Sequence, residues 1–364
     1  MHTVAIIGAG FTGTMVAVNL LRVARVKTRI LLVERSGRFT AGVAYGTRVD
    51  EHSLNVPAGR MSAFPSDSEH FLRWAQLRNP SITGGTFVPR RLYGKYLAEL
   101  LDDAEASSAP TTSVMRLASE ARAVERQPDG GLRIVLADGR SFATDAVVLA
   151  IGNYEPSDPP ANGSEFYDTV RYARDPWATG ALDVGVDEPV LLLGSGLTML
   201  DVAVALQTRG HRGQIHALSR RGLTPQPHRE SASAPAHHDR PHTLASWPST
   251  ASGLLRELRR EVREAESHGV DWREVVTSIR HDTQALWQSL SREERVRFLR
   301  HLRSYWETHR HRAAPSTSAR IEVMRASGQL AVHAARLVSY VTSANGVCVA
   351  FRRRGAATEQ AVRL

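Results

Sequence analysis

The run Val4-Ala5-Ile6-Ile7-Gly8-Ala9-Gly10-Phe11-Thr12-Gly13 decides how this chain is read. Four apolar residues without interruption suit a strand buried on both faces of a parallel sheet. They deliver directly into G-x-G-x-x-G. In that pattern Gly8 permits the tight turn, Gly10 lets the backbone approach a pyrophosphate, and Gly13 lets the following helix close on the strand, with Phe11 and Thr12 between them. The spacing predicts a helix from Thr14 to Arg25, with its amide-rich, positive end aimed at the phosphates. A second strand, Arg29-Ile30-Leu31-Leu32-Val33, ends in Glu34, about 20 residues beyond the last glycine, where an acid binds ribose hydroxyls. Because a carboxylate there repels a 2′-phosphate, the first cradle suits FAD or NAD, not NADP.

The same grammar returns at Val190-Leu191-Leu192-Leu193 followed by Gly194-Ser195-Gly196-Leu197-Thr198-Met199. Met199 replaces the third glycine, which predicts looser packing of the helix Leu200–Thr208 without forbidding a ligand. That helix closes at Gly210, and the next strand, Gln214–Leu218, runs into Ser219-Arg220-Arg221. Arginines where the first unit has Glu34 would pair with a 2′-phosphate, which favours NADPH over NADH; the alternative is a solvated basic corner. Between the cradles, Leu132–Leu136, an Asp138-Gly139 turn and Asp145–Gly152 read as antiparallel strands returning to a buried strand. An acid ending one fold and arginines ending the other point to electron transfer from a nicotinamide to a flavin.

Composition narrows what else is open. With 364 residues the chain has length for two domains. Cys348 is the single cysteine, so an intrachain disulfide framework, a cysteine-ligated metal site and a paired-thiol active site are all excluded. The net charge is +9, and Lys27 and Lys95 are the only lysines among 46 basic residues. These arginines are dispersed among acids, which argues against a nucleic-acid face and for a field that attracts phosphates or anionic substrates. Thr3–Leu21 is apolar enough to imitate a signal peptide, but it lacks a basic start and carries the glycine fingerprint. No run reaches the roughly 18 apolar residues of a spanning helix, so no membrane partner is expected and a cytoplasmic location is the default.

The chain resembles the bacterial FAD/NAD(P)-binding protein family, flavoproteins distantly related to flavin-dependent monooxygenases. The residues carrying the resemblance are Ile6–Gly13, Gly42-Val43-Ala44-Tyr45-Gly46-Thr47, Leu54–Ala58, Met61–Pro65, Phe87–Gly94 and Gly194–Asp201. Ala150-Ile151-Gly152 is similar to the segment by which glutathione-reductase-type flavoproteins return beside FAD, which brings Gly152 to the cofactor. The resemblance implies FAD in the first fold and NADPH (or NADH) in the second. Some relatives N-hydroxylate amino acids, so it also implies a small-molecule substrate such as an amino acid or amine, and monooxygenation of its nitrogen. It places Asn55, Arg60 and Ser62 near the flavin as candidate catalytic residues; the alternative is an ordinary surface loop. One departure stands out: Phe166-Tyr167-Asp168-Thr169-Val170-Arg171-Tyr172 lacks the glycine and histidine of the flavin-containing monooxygenase linker. Oxidoreductase is therefore the firmer reading, with a nucleotide-binding module acting as redox sensor or partner subunit as the alternative.

The expected architecture is α/β, with two Rossmann-like dinucleotide-binding domains of the glutathione-reductase type. Residues 1–160 form the FAD domain with its antiparallel meander. Residues 161–330 form the NAD(P)H domain, with a helical insertion at about 250–312. Residues 331–364 are expected to return as strands to the FAD domain, leaving it short of its closing segment. Within the insertion, Asp271…Glu274 and Ser291…Glu294 read as capping pairs, Gly269 as a stop, and Phe298, Leu299, Leu302, Tyr305 and Trp306 as a core-facing stripe. His309-Arg310-His311-Arg312 resembles a family feature and reads either as lining the site entrance or as a solvated helix end. The proline-rich stretch Gly222–Pro248 predicts a long loop. Its His228, His237, His238 and His242 lack the acidic or cysteine partners of a metal site.

Overall fold

The computed structural model describes residues 1–128, 130–229, 247–343 and 346–364, and divides into two compact units, Met1–Ser157 and Asp158–Leu364.

In the first unit, strands β1 (His2–Ile7), β2 (Thr28–Val33), β3 (Thr112–Leu117) and β7 (Ala146–Leu149) form a parallel sheet in the order β3-β2-β1-β7. Strand β2 shows why the apolar runs are continuous. Ile30 and Leu32 face one core with helix α1 (Phe11–Val23), whereas Leu31 and Val33 face another. Alternate residues point to opposite faces, so a sheet covered on both sides needs apolar residues at every position. Short helices α2 (Gly42–Tyr45) and α3 (His70–Gln76) precede α4 (Arg90–Ala106), whose Tyr93, Tyr96, Leu97 and Leu101 are buried against α1. The second face is covered by an antiparallel meander, β4 (Ala121–Arg126), β5 (Leu132–Leu136) and β6 (Ser141–Thr144), which contributes Ile134 and Leu136 to that core.

The second unit repeats the first crossover. Strand β8 (Val190–Leu193), helix α5 (Leu197–Thr208) and strand β9 (Ile215–Ser219) form a parallel βαβ unit. Helix α5 is apolar on nearly every side because it is buried between the sheet and α11 (Pro315–Ala326). Between β9 and α11 lie α6 (Ala251–Ser267), α7 (Trp272–Ser278), α8 (Thr283–Ser289), α9 (Arg292–His301) and α10 (Arg303–Arg310). The caps of this insertion fall where the sequence placed them: Asp271 accepts the Arg273 N–H, and Ser291 accepts the Glu294 N–H. The core-facing stripe does not hold. The helix breaks at Leu302, Leu299 and Tyr305 are exposed, and no residue of α10 is buried.

The C-terminal strands also depart from expectation. Strands β10 (Leu330–Ser343), β11 (Gly346–Arg353) and β12 (Glu359–Arg363) extend the second unit's own sheet, in the order β12-β11-β10-β9-β8, instead of returning to the first unit. The reason is α11. A strand–helix–strand crossover lays β10 parallel to β9, and β9, buried along Ile215–Leu218, has both edges paired as a result. Among the described residues no helix is long and apolar enough to cross a membrane.

Candidate dinucleotide sites

The two cradles are nearly congruent in backbone. Gly8 and Gly194 have φ of 97° and 112°, and each donates its N–H to the last ladder carbonyl of the neighbouring strand, Val33 or Leu218, at 2.8 Å. Positive φ of this size excludes most side chains, which is why glycine opens both loops. Gly10 and Gly196 then cap α1 and α5 in the same extended conformation, with ψ of −164° and −167°. Neither helix has a side-chain cap or an acid in its first turn, so the positive ends of both are left for an anion.

The surroundings of each glycine test whether a dinucleotide fits. A Cβ on Gly10 would meet nothing nearer than the Gly42 Cα at 3.8 Å, and a Cβ on Gly196 would meet nothing within 4 Å. Both positions face open space, as close approach of a pyrophosphate requires. Gly8 and Gly13 serve the fold instead: a Cβ would lie 2.3 Å from the Ala150 carbonyl oxygen at Gly8, and 1.9 Å from the Gly8 carbonyl oxygen at Gly13. In the second cradle Met199 occupies the third position and is buried in the core beneath α5. Gly152 has φ of 70° and an open Cβ direction, so its glycine is set by backbone conformation alone. Phe11 and Thr12, at the start of α1, are exposed, as is Thr198 in the first turn of α5.

Glu34 stands at the end of β2 as the motif demands, and it also stitches the cradle together. One carboxylate oxygen accepts the Ala9 N–H at 3.0 Å, and the other accepts the Ser36 N–H and hydroxyl at 3.0 and 2.8 Å. In the second unit Ser195 plays the corresponding part. Its buried hydroxyl donates to the Leu223 carbonyl at 2.5 Å and lies 2.7 Å from Ser219 Oγ, tying the loop to the end of β9. The arginines that follow are unequal. Arg220 is exposed with no charged partner among the described residues, whereas Arg221 donates to the Arg300 carbonyl at 2.8 Å and lies over the Tyr305 ring.

The candidate catalytic loop is held by backbone pairing of residues 52–59 against 84–90, including Leu54 N–H to Val88 O at 2.8 Å and Gly59 N–H to Gly84 O at 2.9 Å. Asn55 is half-buried there, and Arg60 is exposed on a 3₁₀ turn. Ser62 is a turn residue. Its hydroxyl donates to the Asp67 carbonyl at 2.5 Å and accepts the Phe64 N–H at 3.1 Å, so it is engaged by its own loop.

Two features of the first site were not legible in the sequence. Thr40 has φ of 74°, a costly conformation for a branched residue, and its N–H donates to the Ala9 carbonyl at 2.8 Å. That contact lays Gly42 against Gly10. An aromatic wall follows, with the Tyr93 ring 6.3 Å from Phe11 and 4.7 Å from Tyr45. Burial raises the pKa of Tyr45 and the nearby Arg90 charge opposes this, so the phenol stays protonated at neutral pH. Among the described residues no group of His, Cys, Asp or Glu could hold a metal; His237, His238 and His242 lie outside them, while His228 donates its N–H to the Ala313 carbonyl.

Residues 5–154 match the family model described as FAD-NAD(P)-binding. A search of curated protein sequences finds no match. Solved structures share the fold. The ornithine hydroxylase of Pseudomonas aeruginosa aligns over 100% of this chain and 80% of its own, with a TM-score of 0.60 and 15% identity. The ornithine N-hydroxylase of Kutzneria sp. 744, solved with reduced FAD, NADP⁺ and L-ornithine, aligns over 100% and 79%, with 0.57 and 14%. The L-lysine 6-monooxygenase of Pseudomonas syringae aligns over 100% and 78%, with 0.56 and 14%.

Proposed function

We propose that the chain, whose residues 5–154 match the FAD-NAD(P)-binding family model, is an FAD-dependent oxidoreductase reduced by NADPH, acting on an amine nitrogen of a small substrate such as an amino acid. The observation that carries the reading is the pair of congruent cradles with opposite charges at their ribose ends, Glu34 in one and Arg220 with Arg221 in the other. FAD fits the first: Gly10 leaves room for the pyrophosphate, the α1 N-terminus faces it, and Glu34 offers acceptor capacity to ribose hydroxyls beyond the bonds it already makes. NADPH fits the second, where Gly196 and the α5 N-terminus would hold the pyrophosphate and the arginines would favour a 2′-phosphate. Bound FAD would supply a hydride acceptor that passes electrons on to oxygen or substrate.

The fold shared with the ornithine and lysine hydroxylases supports an amine substrate, and the second unit's basic strand end supports NADPH. The test is to reconstitute the purified chain with FAD and follow NADPH and NADH oxidation with ornithine, lysine and aspartate as trial substrates. Substrate-stimulated NADPH oxidation with hydroxylamine product is the expected result. FAD retained without oxidation of either nicotinamide would reduce the chain to a binding module.

A further inference from the structure

Arg221 is already occupied, and what occupies it shows where further groups gather. Strand β9 ends at Ser219, which is in register with Ala334 of β10. The Ala334 carbonyl accepts the N–H of Arg354 at 2.7 Å, which fixes Arg354, just beyond β11, beside the end of β9. From the helical insertion, α10 brings Tyr305, 42% exposed, to the same place. The Arg221 guanidinium carbon lies 5.2 Å from the Tyr305 ring centre, and the Arg354 and Arg221 guanidinium groups are both near enough to act on the Tyr305 hydroxyl. Those two charges hold its pKa below the ordinary phenol range.

The charges here are unbalanced. Neighbouring Arg325 and Arg352 pair with Glu322 and Glu359, but Arg220, Arg221, Arg353 and Arg354 have no carboxylate partner among the described residues. The like charges of Arg221 and Arg354, both brought to Tyr305, repel one another, and a phosphate dianion answers that repulsion with charge-assisted hydrogen bonds. We infer that Tyr305 and Arg354, with Arg221, form a clamp for the 2′-phosphate of NADPH, so that nucleotide specificity is set partly by the helical insertion and the C-terminal strands. Arg221 and Arg354 supply forked donors, and the Tyr305 hydroxyl donates a hydrogen bond to the anion. The inference rests on the reading of the second unit as the NADPH site.

The experiment measures binding of 2′,5′-ADP and 5′-AMP to the full chain by calorimetry, for wild type, Arg354→Ala, Arg354→Lys and Tyr305→Phe. Wild type should prefer 2′,5′-ADP by tenfold or more. Arg354→Ala should lose on the order of tenfold in 2′,5′-ADP affinity, the scale of one charge-assisted contact, with 5′-AMP affinity unchanged as evidence of an intact fold. Tyr305→Phe should lose a few-fold, and Arg354→Lys should recover part of the loss because it keeps the charge without the fork. Variants that bind 2′,5′-ADP as wild type does, or that lose both probes in parallel, would overturn the clamp. Equal binding of the two probes by wild type would overturn it while leaving a nucleotide site in the second unit, and binding of neither would remove that site as well.

Discussion

Gly10 and Gly13 stand three residues apart in one motif and answer to different physics. Gly13 has no room for a Cβ, because the Gly8 carbonyl oxygen would lie 1.9 Å away, so Gly13→Ala should destabilise the first unit by about 1–3 kcal/mol or more. Gly10 has room, so Gly10→Ala should fold normally and fail to retain FAD. Thermal melting and flavin content of the two variants separate these roles; equal melting temperatures would contradict the assignment. Met199→Ala should cost about 2–5 kcal/mol in denaturant unfolding of the second unit, since the side chain is buried in the core where the first cradle has Gly13. The glycines and Glu34 were legible because their roles follow from spacing along one strand–helix turn. Thr40 and Ser62 were not. The strained φ of Thr40 and the engagement of Ser62 depend on how a loop closes, which residue type alone does not dictate.

Elements were legible where periodicity was local. Strands β1, β2, β8 and β9 and helices α1 and α5 follow from apolar runs and glycine punctuation. The destination of β10 did not, because a strand's partner is fixed by the crossover that delivers it, here α11. The stripe Phe298–Trp306 failed for a related reason: helical spacing shows that residues share a face, not that anything covers it. The β9–β10 pairing carries a pH consequence. His216 and His333 lie 3.1 Å apart, ring nitrogen to ring nitrogen, and burial lowers both pKa values from the ordinary 6.5. The unfolded chain therefore binds more protons than the folded one as pH drops through this range. Stability of the second unit should be full above about pH 6.5 and fall as pH decreases below it. Melting temperatures between pH 7.5 and 5 would show the decline. A His216→Val/His333→Val double variant should flatten it, and an unchanged slope would assign the decline elsewhere.

Over the whole molecule, duplication of one phosphate-binding grammar is the central fact. Each unit folds around its own strand–glycine–helix turn, and the charge at the end of the second strand differs in sign. With FAD resident in the first cradle and NADPH the occupant of the second, as proposed above, the two functions should be separable by single substitutions that leave both folds intact. The most direct measurement is an anaerobic titration of FAD-reconstituted protein with NADPH, following flavin absorbance in wild type and in Gly196→Ala. Wild type should retain about one FAD per chain and bleach with about one equivalent of NADPH, as two-electron reduction by hydride requires. Gly196→Ala should hold the same flavin and bleach far more slowly, because its new methyl group stands where the pyrophosphate must approach. A wild-type flavin that NADPH does not bleach, or a variant that bleaches as fast as wild type, would contradict the account.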